Sequence, residues 1–80
     1  MIRGKCACGA VQFTAGDQVI TAHHCHCRTC RAIHGTVFGS TAVVPRASFQ
    51  VTDGLEHVAE YESSPGKHRC FCRLCGTHVY

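Results

Sequence analysis

The chain has 80 residues, a formal net charge of +3 and ordinary hydrophobicity, with no Trp, four Phe and two Tyr but eight Cys. A chain this short buries too small a fraction of its surface for apolar packing alone to hold it comfortably, so the cysteines are the feature to explain. No apolar run approaches membrane-spanning length, and the start Met1-Ile2-Arg3-Gly4-Lys5 lacks the apolar stretch of an export signal, which predicts no membrane partner and a reducing, cytoplasmic setting.

In chain order, Cys6-Ala7-Cys8-Gly9 opens the sequence as a tight pair of thiols before a β-leaning run, Ala10–Thr14. Ala15-Gly16-Asp17 reads as a turn, followed by a second run at Val19–Ala22 and then by Cys25-His26-Cys27-Arg28-Thr29-Cys30-Arg31. Cys27–Ile33 suits about one helical turn. Further strands are expected at Val37–Val44, Phe49–Thr52, His57–Tyr61 and Thr77–Tyr80, broken by the Pro45 region, Asp53-Gly54 and Ser63-Ser64-Pro65-Gly66. Each break supplies the Gly or Pro that a turn needs. Short strands without a long 3.6-residue period predict one all-β domain spanning residues 1–80, with the cysteines in loops between strands and Phe38, Phe49, Phe71 and Tyr61 forming a small core.

The cysteines sit one or two residues apart, which suits chelation of an ion better than disulfides between distant segments. Cys72-x-x-Cys75-Gly76 is a knuckle whose glycine permits a tight turn beneath two sulfurs, and Cys6-x-Cys8-Gly9 is a closer version of it. Joined on one zinc ion, the two pairs would clip the start of the chain to its end. Cys25, Cys27 and Cys30 are different, because three sulfurs within six residues can form a tripod that leaves a fourth position free. Two zinc ions are therefore expected, with Cys70 left as a spare thiol. Spacing leaves open a closed scheme in which Cys70 or one of His23, His24, His26 and His34 completes the second site. Seven thiolates and two dications would bring the formal charge from +3 to about zero. Arg28, Arg31, Arg69 and Arg73, beside the cysteines, then read as local charge compensation, and nucleic acid is not an expected partner.

The blocks Cys6-Ala7-Cys8-Gly9-Ala10-Val11, Cys25-His26-Cys27-Arg28-Thr29-Cys30-Arg31 with Gly35, Gly54, Tyr61-Glu62-Ser63-Ser64 and Arg69-Cys70-Phe71-Cys72-Arg73-Leu74-Cys75-Gly76-Thr77 resemble the glutathione-dependent formaldehyde-activating enzyme family, which includes relatives with centromere-associated roles. The resemblance implies an Mss4-like fold of twisted antiparallel sheets with zinc-binding loops. It implies a structural zinc on Cys6, Cys8, Cys72 and Cys75, and a catalytic zinc on Cys25, Cys27 and Cys30. Members of that family usually continue through a further strand-rich segment where this sequence stops at Tyr80. The domain is thus short at its C-terminal end, and an exposed edge at Thr77–Tyr80 would invite pairing with a second copy as a homodimer.

The activity implied is that of a carbon–sulfur lyase, adding glutathione or a related thiol to formaldehyde or another small aldehyde. Arg31 and Arg69 are candidates for binding substrate carboxylates, since a guanidinium meets a carboxylate through two parallel hydrogen bonds. His26 and His34 are candidates for moving a proton to the new hydroxyl group. Two other readings stand beside this one: a non-catalytic, zinc-stapled module that binds protein or nucleic acid, and a redox or metal-handling protein built on a reactive Cys70.

Overall fold

The computed structural model describes Met1–Tyr80. Seven short strands form: β1 (Ile2–Lys5), β2 (Gln12–Ala15), β3 (Thr21–Cys25), β4 (Gly39–Val43), β5 (Gln50–Asp53), β6 (Val58–Ser64) and β7 (Lys67–Cys72). One helix, α1 (Arg28–His34), lies between β3 and β4, and single 3-10 turns occupy Arg46–Ser48 and Leu55–His57. The strands make three small antiparallel sheets, ordered β1-β2-β5, β3-β4 and β6-β7.

The all-β expectation holds, with differences that bear on the site. The expected strand Val19–Ala22 forms later and runs on to Cys25, which therefore ends a strand, while Cys30 lies in α1 and Cys70 and Cys72 lie in β7. The cysteines are thus not all loop residues. The helix has seven residues where about one turn was expected: the Cys27 sulfur accepts the Cys30 N–H at its start, and Gly35 closes it in the left-handed conformation. Thr77–Tyr80 is not a separate strand. It lies along the free edge of β7 with one bridge, Phe71 to His78, and the Cys72 N–H donates to the Thr77 carbonyl at 2.9 Å and the Cys70 N–H to the Tyr80 carbonyl at 2.7 Å.

The centre of the molecule is Cys6, Val11 and Cys72, with Ala10, Val51, Val58 and Val79 packed against them. Two of the three buried apolar side chains in that cluster are cysteines, so the core and a group of potential metal ligands are one object. The expected aromatic core is only partly realised. Tyr61 is exposed, while Phe49 bridges Phe13, at 5.3 Å between ring centroids, and Tyr80, at 4.9 Å. At Gly54 the requirement for glycine is absolute in geometry: φ is +77° and an added Cβ would lie 1.9 Å from the Ala10 carbonyl oxygen.

Candidate functional site

All eight cysteines are free thiols, and seven of them gather into two groups whose sulfurs lie within 4.8 Å of one another: Cys6, Cys8, Cys72 and Cys75, and Cys25, Cys27 and Cys30. In the first group the Cys6 and Cys8 sulfurs are 3.6 Å apart and those of Cys8 and Cys72 3.9 Å. A tetrahedral zinc–thiolate centre, with bonds of about 2.3 Å, has sulfur–sulfur edges of about 3.8 Å. Donor type, number and spacing therefore fit a zinc ion, four donors making a closed set.

The backbone around this group is drawn tight by short-range hydrogen bonds. Cys6 N–H donates to the Val11 carbonyl (2.9 Å) and Val11 N–H to the Cys6 sulfur (3.3 Å), while Gly76 N–H donates to the Cys72 carbonyl (2.7 Å). Thr77 joins the two halves: its hydroxyl accepts the Ala7 N–H at 3.0 Å and lies 3.2 Å from the Cys75 sulfur. The Thr77 hydroxyl and backbone N–H hold the Cys75 thiol down at about 5. The Val11 N–H lowers Cys6 as well. Cys8, although it receives an N–H from Ala10, is pushed up to about 11 by Cys6, burial and the other thiols.

The second group is built where β3 meets α1. Cys25 ends the strand opposite Gly39, Cys27 caps the helix and Cys30 faces inward from its first turn. Gly39 leaves room here, since a Cβ would lie 2.6 Å from the His34 ring and 3.4 Å from the Cys30 Cβ. Cys27 is exposed, Cys25 half-buried and Cys30 buried, so the group opens to solvent on the Cys27 side. The Cys30 N–H, followed by the Cys25 and Cys30 thiols, lowers Cys27 to about 7. Cys25 takes an N–H from Cys27 but is raised on balance by the Cys30 and Cys27 thiols. Three thiols at this spacing suit the same borderline-soft cation.

No histidine or carboxylate joins the three sulfurs within 4.8 Å. His24 and His26 instead flank Phe38, at 4.3 and 5.2 Å between ring centroids, and His24 Nδ1 lies 3.0 Å from the Ser40 hydroxyl. His34 stacks edge-on against His78 at 4.6 Å. Cys70 is also elsewhere: it is buried, lies 3.8 Å from Glu60 Oε1, and burial, followed by the Glu60 charge, pushes its thiol up. That environment is the opposite of the one a reactive thiol needs.

Of the two arginines expected near substrate, Arg31 is exposed on α1. Arg69 is buried; its Nε donates to the Ser63 hydroxyl at 3.0 Å and its Nη1 to the Cys30 sulfur at 3.5 Å. Ser63, Thr77 and His78 received no individual role from the sequence, because each reaches its partner across a long stretch of chain or from a neighbouring strand. The Cys75-Gly76-Thr77 run was the available signal for Thr77.

The family model for glutathione-dependent formaldehyde-activating enzyme matches residues 1–80. A Podospora anserina protein named "Putative glutathione-dependent formaldehyde-activating enzyme" is 35% identical over 78 residues, covering 95% of this chain and 37% of that protein. An uncharacterized lyase of Schizosaccharomyces pombe is 32% identical over 77 residues, covering 96% of this chain and 54% of its own length. The crystal structure of a Rhodobacter sphaeroides protein superposes with a TM-score of 0.80 at 26% identity, over 98% of this chain and 71% of that one. The chain thus spans about half, or less, of the length of these two curated relatives.

Proposed function

This chain belongs to the glutathione-dependent formaldehyde-activating enzyme family, and from that premise we propose that it is a two-zinc carbon–sulfur lyase unit that joins a thiol, glutathione or a relative, to formaldehyde or another small aldehyde. The observation that carries the reading is the group of Cys25, Cys27 and Cys30: three thiols, exposed on one side, with no fourth protein donor within reach. Cys6, Cys8, Cys72 and Cys75 would hold the structural ion and Cys25, Cys27 and Cys30 the catalytic one. A zinc ion in the second group supplies positive charge that favours the thiolate form of an incoming thiol, or polarises a carbonyl.

The reaction needs no oxidant. The thiol gives up its proton, its sulfur bonds to the carbonyl carbon, and the carbonyl oxygen takes a proton to become the hydroxyl of a hemithioacetal. In this reading His26, exposed and next in sequence to Cys25 and Cys27, would carry that proton, and Arg31, exposed on the same helix as Cys30, would offer a guanidinium to a carboxylate of the thiol. Thiols held as metal ligands require a reducing compartment, which supports a cytoplasmic location. No helix is long and apolar enough to cross a membrane.

Exchange spectroscopy on an equilibrium mixture of glutathione and isotopically labelled formaldehyde tests the reading, because it separates catalysed from spontaneous addition. The zinc-loaded chain should speed formation and breakdown of the adduct, and Cys27→Ser should abolish the acceleration while the fold persists. No acceleration by the two-zinc protein would overturn the lyase reading and favour a zinc-stapled binding module.

A further inference from the structure

Arg69 is 9% exposed, and a guanidinium stays protonated in any protein environment. A charge so placed is costly unless a countercharge lies beside it. The ion pairs of the structure join the N-terminal amine to Asp17, His57 to Glu56, and His68 to Glu60 and Glu62, and none includes Arg69. Its other neighbours do not supply the charge. Ser63 is a neutral acceptor, and His78 nearby is driven toward its neutral form by burial, then by His34 and Arg69. Its other hydrogen bond goes to the Cys30 sulfur, 3.5 Å from Nη1.

We propose that Arg69 is the positioning residue of the three-thiol site, its buried guanidinium balancing the charge of Cys25, Cys27 and Cys30 and fixing Cys30, so that it is not available to a substrate carboxylate. This inference rests on reading those cysteines as a metal site. Three thiolates around a dication leave a net negative charge, and Arg69 donates to one of them from the interior while Cys27 faces solvent. Arg28, Arg31 and Arg73, the other arginines beside cysteines, are exposed. Strand alternation explains how one segment serves both centres: along β7, Cys70 and Cys72 point to one face and Arg69 and Phe71 to the other. Cys72 thus enters the first group while Arg69 reaches the second. Ser63, held on β6, fixes the guanidinium from its other side.

The test measures zinc affinity at each centre of the full chain by chelator competition, with cobalt spectra as an independent report on the second. Arg69→Met keeps most of the buried volume and removes the charge; it should weaken the second zinc about 10- to 100-fold and leave the first within about threefold. Arg69→Lys should recover part of the loss, because the charge remains while the fork between Ser63 and Cys30 does not. Ser63→Ala keeps the guanidinium and loosens it, giving a smaller loss confined to the second zinc, and decides the matter if Arg69→Met does not fold. Wild-type affinity for both ions in Arg69→Met, or equal weakening of both, would overturn the proposal. So would unchanged zinc binding accompanied by loss of glutathione affinity, which would make Arg69 a substrate residue. A wild-type chain that binds one zinc would overturn the metal-site reading and this inference with it.

Discussion

The sulfur of Cys8 lies 3.9 Å from that of Cys72, 64 residues further along the chain. A zinc ion held by these two with Cys6 and Cys75, as proposed, would close nearly the whole sequence into one loop.

Loss of that closure should be fatal. A structural zinc supplies roughly 10–16 kcal/mol of folding free energy, comparable with or larger than the whole stability of about 5–15 kcal/mol usual for a domain. Cys8→Ser and Cys72→Ser should therefore abolish the cooperative thermal transition. Cys27→Ser should behave differently, because serine is itself a favoured helix N-cap and can accept the Cys30 N–H now bound to the Cys27 sulfur. It should empty one zinc site and retain a cooperative melt. Equal destabilisation by all three changes would mean that both centres are structural.

Cys70 should be inert in the native protein. It is 3% exposed and lies against Glu60, so alkylation near neutral pH should proceed only as fast as the fold opens. Mass spectrometry after a timed pulse of iodoacetamide would locate the label. Rapid labelling of Cys70 in the folded, zinc-loaded chain would contradict its burial and revive a redox role.

Gly54 and Gly66 separate two costs of adding a methyl group. Both have positive φ, +77° and +79°, but nothing lies within 4 Å of a Cβ at Gly66, whereas one at Gly54 would meet the Ala10 carbonyl oxygen. Gly66→Ala should cost about 1–2 kcal/mol for the left-handed backbone alone. Gly54→Ala should cost clearly more, since Ala10 and Val11 must shift next to Cys6 and Cys8. Chemical denaturation of the zinc-loaded variants checks the order, and equal stability would contradict it.

The grouping of the cysteines was legible in the sequence because chelating spacings are largely local: Cys25, Cys27 and Cys30, and the knuckle at Cys72 and Cys75, announce themselves by spacing. The strand β7 was not. Lys67–Cys72 carries three basic or potentially basic residues and two cysteines, a pattern that reads as loop. It becomes a strand because β6 pairs one edge and residues 77–80 the other, and because its cysteines bury as small apolar side chains. β1 was hidden for a related reason. Ile2–Lys5 holds two cations and a glycine, yet Gly4 lies against the Phe13 ring, where an added Cβ would come within 2.2 Å. The contact from Arg69 to Cys30 spans 39 residues, and no local pattern distinguishes it from the other arginines beside cysteines.

The central claim is that the Cys25, Cys27 and Cys30 centre keeps one coordination position for a substrate thiol. Cobalt substitution makes that position visible, because a fourth thiolate entering a tetrahedral site changes its charge-transfer and d–d absorption. Glutathione and S-methylglutathione share both carboxylates and the amine, and differ in whether the sulfur can ionise. Titrating each into the dicobalt protein at millimolar concentration is the most direct measurement: the account predicts a saturable spectral change with glutathione and a far weaker one with S-methylglutathione. An unchanged spectrum with glutathione, or the same response to both, would contradict it.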